Sequence, residues 1–273
     1  MSKPLTNAEL LAAAPSIFSE APIETASSQY HFLQTGSVLD TFRKAGYFPI
    51  MAGEASARDK SNQPFVRHIV QFRFLSNILR PNAKEEYADI ILSNSSNLKS
   101  SITLDLSYFR IACSNLLVVS SEQFMFHRII HKGMQTLKIE QAIQEIVSYM
   151  PKVEKQIAEL KAIKLTPIEA ESLAAAAIDI RLDTSKHSME VEDVLQINSD
   201  EDELPTAWNY YNRCQEAIIN GGLRAKNIIT NKRYTTKPIK AFSESIRMNK
   251  ELYTTVQNLV ELKKSYEPLA VAA

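Results

Sequence analysis

The chain has 273 residues, 45% of them hydrophobic and 23% charged, with 31 Lys/Arg set against 31 Asp/Glu. That length and apolar content are enough for a substantial core and exclude wholesale disorder. With no net charge, any contact with a polyanion must come from a local basic patch. Two cysteines, Cys113 and Cys214, are too few for a disulfide framework. No N-terminal stretch resembles a secretory leader, and no apolar run reaches the roughly 18 residues of a membrane span. The expectation is a cytoplasmic protein with reduced thiols and no membrane association.

Along the chain, residues 1–35 read as an N-terminal arm with three prolines and one short helix, TNAELLAAA, in which Thr6 and Glu9 have capping-box spacing. SVLDTFRKAGY is a short amphipathic helix closed at Gly46, followed by a strand over 47–52. In VRHIVQFRF, Val66, His68, Val70 and Phe72 alternate with Arg67, Ile69, Gln71 and Arg73. With ADIILSNSS and SITLDLSYFRIACSNLLVV this predicts a β core of at least three strands, with a turn at Asn94–Asn97. From Ile139 to Leu160 apolar residues recur every three or four positions, a long helix that Pro151 should kink or break. Eight acids against one lysine over 183–203 predict an acidic linker, 183–205. A final helix follows, from about Lys240 to Ser265. The fold class is α+β: an antiparallel β core with its long helix over 36–182, then a basic, helical lobe over 206–273 packed on that core.

The densest chemical signal runs from Trp208 to Arg247, where eight Lys/Arg face two acids, a local charge of +6. Trp208, Tyr210, Tyr211 and Tyr234 interleave with Arg213, Arg224, Lys226, Lys232, Arg233 and Lys237. Aromatic faces stack on bases while cations follow phosphates, so this set suits single-stranded nucleic acid. The competing reading is a packed Trp-Tyr-Tyr helix face beside a solvated basic loop. Gly221-Gly222, after an apolar run, reads first as a helix C-cap and second as a backbone nest for an anion.

Other motifs are weaker. Asn94-Ser95 and Ser114-Asn115 sit at strand ends, where small polar side chains serve a turn or approach a phosphate. His127 and His131 would share a face if HRIIH were helical, a spacing able to hold zinc, but no third ligand is evident. His68, alone on its strand, is a hydrogen-bonded structural histidine or an acid/base. Phosphate-loop, dinucleotide and hydrolase-nucleophile motifs are absent. No metal or cofactor is expected.

SSQYHFLQTGSVLDTFRKAGYFPI, VRHIVQFRF, IILSNSS, FRIACSNLLVV, FMFHR, WNYYNRCQEAIINGGL and TNKRYTTKPIKAFSESIRMNKELY together resemble the phage- and plasmid-borne family of unknown function 932, also called uncharacterised protein family 0380. The motif positions are Arg67, His68, Asn94, Arg110, Cys113, Asn115, Asn212, Gln215, Glu216, Gly221 and Gly222. Family members commonly read Asn-Ser-His-Asp-Gly where this chain has Asn94-Ser95-Ser96-Asn97-Leu98, and Cys-Ser-Asn-Gly where it has Cys113-Ser114-Asn115-Leu116. The resemblance implies a mobile-element context. By analogy of fold alone, strands followed by a long helix are compatible with the β-β-β-α core of Rad52-like annealing proteins.

The leading expectation is an oligomeric protein that holds or anneals single-stranded DNA, its basic lobe shielded by the acids of Asp200–Glu203 until DNA displaces them. The alternatives are an anti-defence or regulatory protein that binds a host protein, and a metal-dependent nuclease using His68, His127 or His131.

Overall fold

The computed structural model describes residues 3–79, 86–110, 116–117, 127–131, 135–198 and 202–270. It divides into two compact units, one of Met1–Phe109 with Glu122–Met150, the other of Pro151–Ala273 with Arg110–Ser121. The fold is α+β.

The first unit begins with helix α1, Asn7–Ala13, capped as its sequence predicts: Thr6 Oγ1 accepts from Glu9 N at 3.2 Å and Glu9 Oε2 accepts from Thr6 N at 2.8 Å. A 3₁₀ turn, Pro15–Phe18, follows. Leu10, Ala14 and Ile17 are fully buried, and Leu5 N donates to Pro49 O at 2.7 Å. The expected arm is therefore part of the core. Helix α2, Thr35–Lys44, ends before Gly46, whose φ of +84° reverses the chain into strand β1, Tyr47–Glu54. A Cβ at Gly46 would sit 2.6 Å from the Phe74 ring, so both conformation and space call for glycine there.

Strands β2 (His68–Phe74), β3 (Glu86–Asn94) and β4 (Ile102–Arg110) continue the sheet in the order β1-β2-β3-β4. Short helix α3, Leu75–Leu79, follows β2, and β5 is the two-residue piece Leu116–Leu117. Strand β6, His127–Ile129, pairs antiparallel with β4, Thr103 opposite Arg128. β1 pairs antiparallel with β2, with a bulge between Pro49 and Met51, and β2 with β3, from His68 opposite Asn94 to Arg73 opposite Asp89. Phe42 of α2 stacks on Phe72 at 3.9 Å, anchoring the helix on the sheet. Six of the seven residues of β2 are buried, so both rows of its alternating pattern face protein.

Helix α4 runs from Gln135 to Ala162 and continues through Pro151, where a kink or break was expected. The division between the two units falls at that proline. In the second unit, α5 (Pro167–Arg181) starts with a capping box, Thr166 and Glu169, and a proline in its first turn. Helices α7 (Ala207–Asn220) and α8 (Phe242–Ala270) pack with α5. Ala170, Ala174 and Ala177 of α5 are buried in this packing.

A small antiparallel sheet, in the order β7-β8-β9, joins His187–Met189, Arg224–Asn227 and Arg233–Thr235. The expected acidic linker thus contributes strand β7 and the single-turn helix α6, Val191–Val194, to this unit. Of its acids, Glu190, Glu192 and Asp193 lie on or beside these elements, and Val194 among them is buried.

Candidate nucleic-acid interface

Helix α7 carries four of the ten residues of the predicted binding set and turns most of them inward. Trp208, Tyr211, Cys214 and Ile218 are spaced three or four apart and are buried, Trp208 at 2% exposure and Tyr211 at 0%. Trp208 stacks on Tyr211 at 5.5 Å, and Tyr211 meets Tyr253 of α8 edge-on at 5.9 Å. Arg213 is 6% exposed, its Nε donating to Asp202 O at 3.0 Å and its Nη2 bonding the same carbonyl. Trp208, Tyr211 and Arg213 therefore cannot meet a base or phosphate without opening the helical core, which corrects their assignment as stacking and phosphate groups. Tyr210 is half-buried under the Arg213 guanidinium at 4.6 Å. Burial pushes the Cys214 thiol up to about 12, so it is chemically inert at neutral pH.

The family-motif residues of this helix have structural partners too. Asn212 Nδ2 donates to Trp208 O at 2.9 Å and Gln215 Nε2 to Asn249 Oδ1 at 2.7 Å, while Glu216 is partly exposed. Gly221 is the C-cap with φ +68°, and a Cβ there would come within 2.7 Å of the Lys237 backbone. Its amide is taken by Ala217 O and that of Gly222 by Thr236 O. The glycine pair is a helix cap, and both amides that an anion nest would need are occupied.

The β8–β9 hairpin and the residues just after it carry the other six, most of them facing outward. From Gly222 to Lys240 there are six cations and no acid. Arg224, Lys232, Arg233 and Lys237 are exposed and Lys226 is partly so. Antiparallel pairing sets Lys226 opposite Arg233 and Arg224 opposite Thr235, keeping the charges on a short, ordered ribbon. Tyr234 lies between them, half-buried, its hydroxyl 2.9 Å from His187 Nδ1 on β7. A cleft of about 490 Å³ beside it is lined by Arg224, Lys226, Arg233 and Tyr234 and also by Glu190 and Asp193. At the tip, Ile228 and Ile229 are 49% and 70% exposed, and Asn231 turns the chain with φ +60°. Residues 199–201 lie outside the described part, and Asp202 is itself buried, so its carboxylate is not available as a surface shield over this hairpin.

In the first unit, the motif residues on β2 and β3 form buried polar contacts that periodicity alone did not reveal. His68 is 1% exposed, with Nδ1 3.0 Å from Ser16 Oγ and Nε2 2.8 Å from Thr35 Oγ1. Asn94 Nδ2 donates to the same threonine oxygen at 2.9 Å, so His68, Thr35, Ser16 and Asn94 form one buried polar cluster. Burial pushes His68 down to about 4, against the Val66 backbone and the Glu54 charge. It is a neutral structural histidine without access to a substrate.

Arg67 Nε donates to Ser93 Oγ at 2.7 Å. Six residues further on, Arg73 grips Asp89 through Nε at 2.9 Å and Nη2 at 2.7 Å, Gln71 Nε2 adds a third bond to Asp89 at 2.6 Å, and the guanidinium lies 4.7 Å from the Tyr87 ring centre. The sequence signal for this pair was a charge on each of two adjacent strands otherwise rich in apolar residues.

The histidine pair of HRIIH does not share a helical face, because His127 lies in strand β6 and His131 beyond its end. No group of three metal-ligating side chains occurs among the described residues. Cys113 and Asn115 fall outside those residues, as does the side chain of Arg110.

Comparison with known proteins gives the lineage. The profile of the family described as "Domain of unknown function (DUF932)" matches residues 22–253. The chain belongs to the DUF932 family. It is also similar to the UPF0380 proteins YfjQ and YafZ of Escherichia coli strain K12, each 28% identical over 258 residues that cover 94% of this chain and 92% of the relative. No solved structure matches, so the analogy with Rad52-like proteins has no structural counterpart. Among the described residues, no helix of this DUF932 member is long and apolar enough to cross a membrane.

Proposed function

We propose that this DUF932 protein binds nucleic acid through the β8–β9 hairpin, with Arg224, Lys226, Lys232, Arg233 and Lys237 contacting phosphates and Tyr234 the one aromatic in reach of a base. The observation that carries this reading is six cations without an acid over Gly222–Lys240, most of them exposed on an ordered ribbon. Such a surface attracts the sugar–phosphate backbone whatever the sequence, and its affinity falls steeply with salt. With Trp208 and Tyr211 inside the helical core, stacking contributes less than the sequence suggested, and phosphate contact becomes the main term. The proposal keeps single-stranded DNA of a mobile element as the target, because a short ribbon with one accessible ring suits an exposed strand.

Fluorescence anisotropy with a labelled single strand and its duplex, at several salt concentrations, tests it. Replacing Lys226, Lys232 and Arg233 with Gln should lower affinity and reduce the slope of log K against log salt by about 2, at roughly 0.7 per lost single-strand contact. An unchanged slope ends the hairpin assignment. Ile228 and Ile229 at the tip favour a second reading, docking on a host protein. That reading gains if an Ile228→Ser, Ile229→Ser variant loses a nuclease-resistant host partner while keeping DNA binding.

A further inference from the structure

The turn between β8 and β9, residues 228–232, holds two adjacent isoleucines in solvent, Ile228 at 49% and Ile229 at 70% exposure. The asparagines on either side make the turn. Asn227 Oδ1 accepts from Ile229 N at 3.1 Å and from Thr230 N at 2.8 Å, Asn227 N donates to Lys232 O at 2.8 Å, and Asn231 takes the positive φ of +60°. Ile228 N donates to Lys186 O at 2.9 Å, tying the tip to the residue before β7. The isoleucine side chains take no part in these bonds, and a β-branched residue is not what a turn selects. Their backbone is braced and their χ1 angles are stiff, so the pair has little freedom left to lose when a partner arrives.

Lys226 stands two residues before Ile228 and Lys232 three after Ile229, each no more than about 11 Å away even at full extension. Lys226 lies opposite Arg233, which keeps two cations abreast behind the tip, and no acid occurs from Gly222 to Lys240. An apolar pair framed by cations on both strands complements a partner that is anionic outside and flat and apolar within. Stacked bases inside their phosphate backbone have that arrangement. A stable protein interface takes roughly 800 Å² from each partner, whereas the tip offers two apolar side chains among cations. For a bilayer, two isoleucines bury less hydrocarbon than one myristoyl chain, itself a marginal anchor. A wedge between base steps needs no more than such side chains, and isoleucine is among the residues that serve as one.

We propose that the β8–β9 tip is a wedge: Ile228 and Ile229 enter between adjacent bases where a single strand meets a duplex, while Lys226, Lys232 and Arg233 hold the flanking phosphates. This inference rests on the hairpin's binding nucleic acid and specifies what the hairpin does there. Opening a stack costs least where a base already lacks its partner, which favours such a junction over the interior of an intact duplex.

The test uses the full-length protein and a DNA junction carrying the fluorescent base 2-aminopurine, whose emission rises on unstacking, either at the first paired position or deep in the duplex. Saturating natural chain should raise the junction signal severalfold and leave the interior probe unchanged. Ile228→Ser with Ile229→Ser should abolish the rise at saturating protein, with the slope of log K against log salt unchanged because the phosphate contacts remain. Ile228→Leu with Ile229→Leu should restore it. Both positions are exposed, so all three proteins should melt together. Junction binding by the natural chain without a rise, or an equal rise with the serine variant, overturns the wedge alone. Absence of junction binding by the natural chain overturns the hairpin reading together with it. Isoleucine-dependent binding to phosphatidylserine vesicles in place of unstacking would assign the tip to a bilayer and overturn the wedge too.

Discussion

Acidification should destabilise this protein well before its carboxylates titrate, because His68 is buried neutral. Its folded value of about 4 lies below the ordinary 6.5. A histidine depressed in this direction leaves stability untouched above pH 6.5 and withdraws it as pH falls from there toward 4, since only the unfolded chain takes up the proton. Each pH unit in that window removes about 1.4 kcal/mol, so at pH 5 the loss is about 2 kcal/mol, a large fraction of a typical 5–15 kcal/mol. The groups around the ring are Ser16, Thr35, the Val66 backbone and Glu54, and only Glu54 is charged; it opposes the shift without cancelling it.

His131 is also pushed down by burial and adds loss of the same sign, so the two contributions must be separated. Urea melts of the natural chain and of His68→Gln at pH 5.0 to 7.5, together with NMR titration of the His68 ring, do this. The variant should be weaker at pH 7.5, because it disturbs the bonds to Ser16 and Thr35, and should have a flatter slope between pH 6.5 and 5. A His68 ring that titrates near 6.5 in the folded state, or a variant that keeps the full slope, refutes the reasoning.

Removing one partner of the Arg73–Asp89 pair, as in Arg73→Met, should cost about 3–5 kcal/mol by stranding a buried carboxylate, whereas Arg73→Met with Asp89→Leu should recover most of it; chemical denaturation of the set checks this. Leu98 holds φ +66° without being glycine, so Leu98→Gly should raise stability by up to about 1 kcal/mol, read as a higher melting temperature, and a fall would mean that the Leu98 side chain contributes more than its backbone costs. Trp208→Ala should cost about 3–5 kcal/mol, while Arg233→Gln should change stability by less than about 0.5 kcal/mol and weaken DNA binding, separating a core ring from a surface cation by melting and anisotropy.

Local signals gave a faithful outline and a poor sense of facing. The Thr6 and Thr166 caps, Gly46 and the Gly221 C-cap each sit at an element boundary where a few adjacent residues decide the conformation. The strands of the first unit were legible from β-branched and aromatic runs. What single-chain periodicity could not show was that both faces of β2 are covered, because that depends on which distant residues arrive. Asp89, 16 positions away from Arg73, turns an apparently solvated arginine into a buried one. The same limit misplaced Trp208 and Tyr211. Their spacing with Cys214 and Ile218 is a core stripe, and it was outweighed by the basic residues that follow in sequence but lie on another element.

The residues through which the chain resembles its family bear on where function should be sought. His68, Asn94, Asn212, Gln215 and Gly221 are buried or tied to backbone, and their hydrogen bonds are to other parts of the same unit. Burying so many polar side chains is favourable only if each finds its partner, so these positions constrain the fold tightly whatever the protein binds. Leu98 shows the same logic in reverse. Leu98 holds a positive φ that glycine would adopt without strain, so this chain keeps the turn with leucine at some cost.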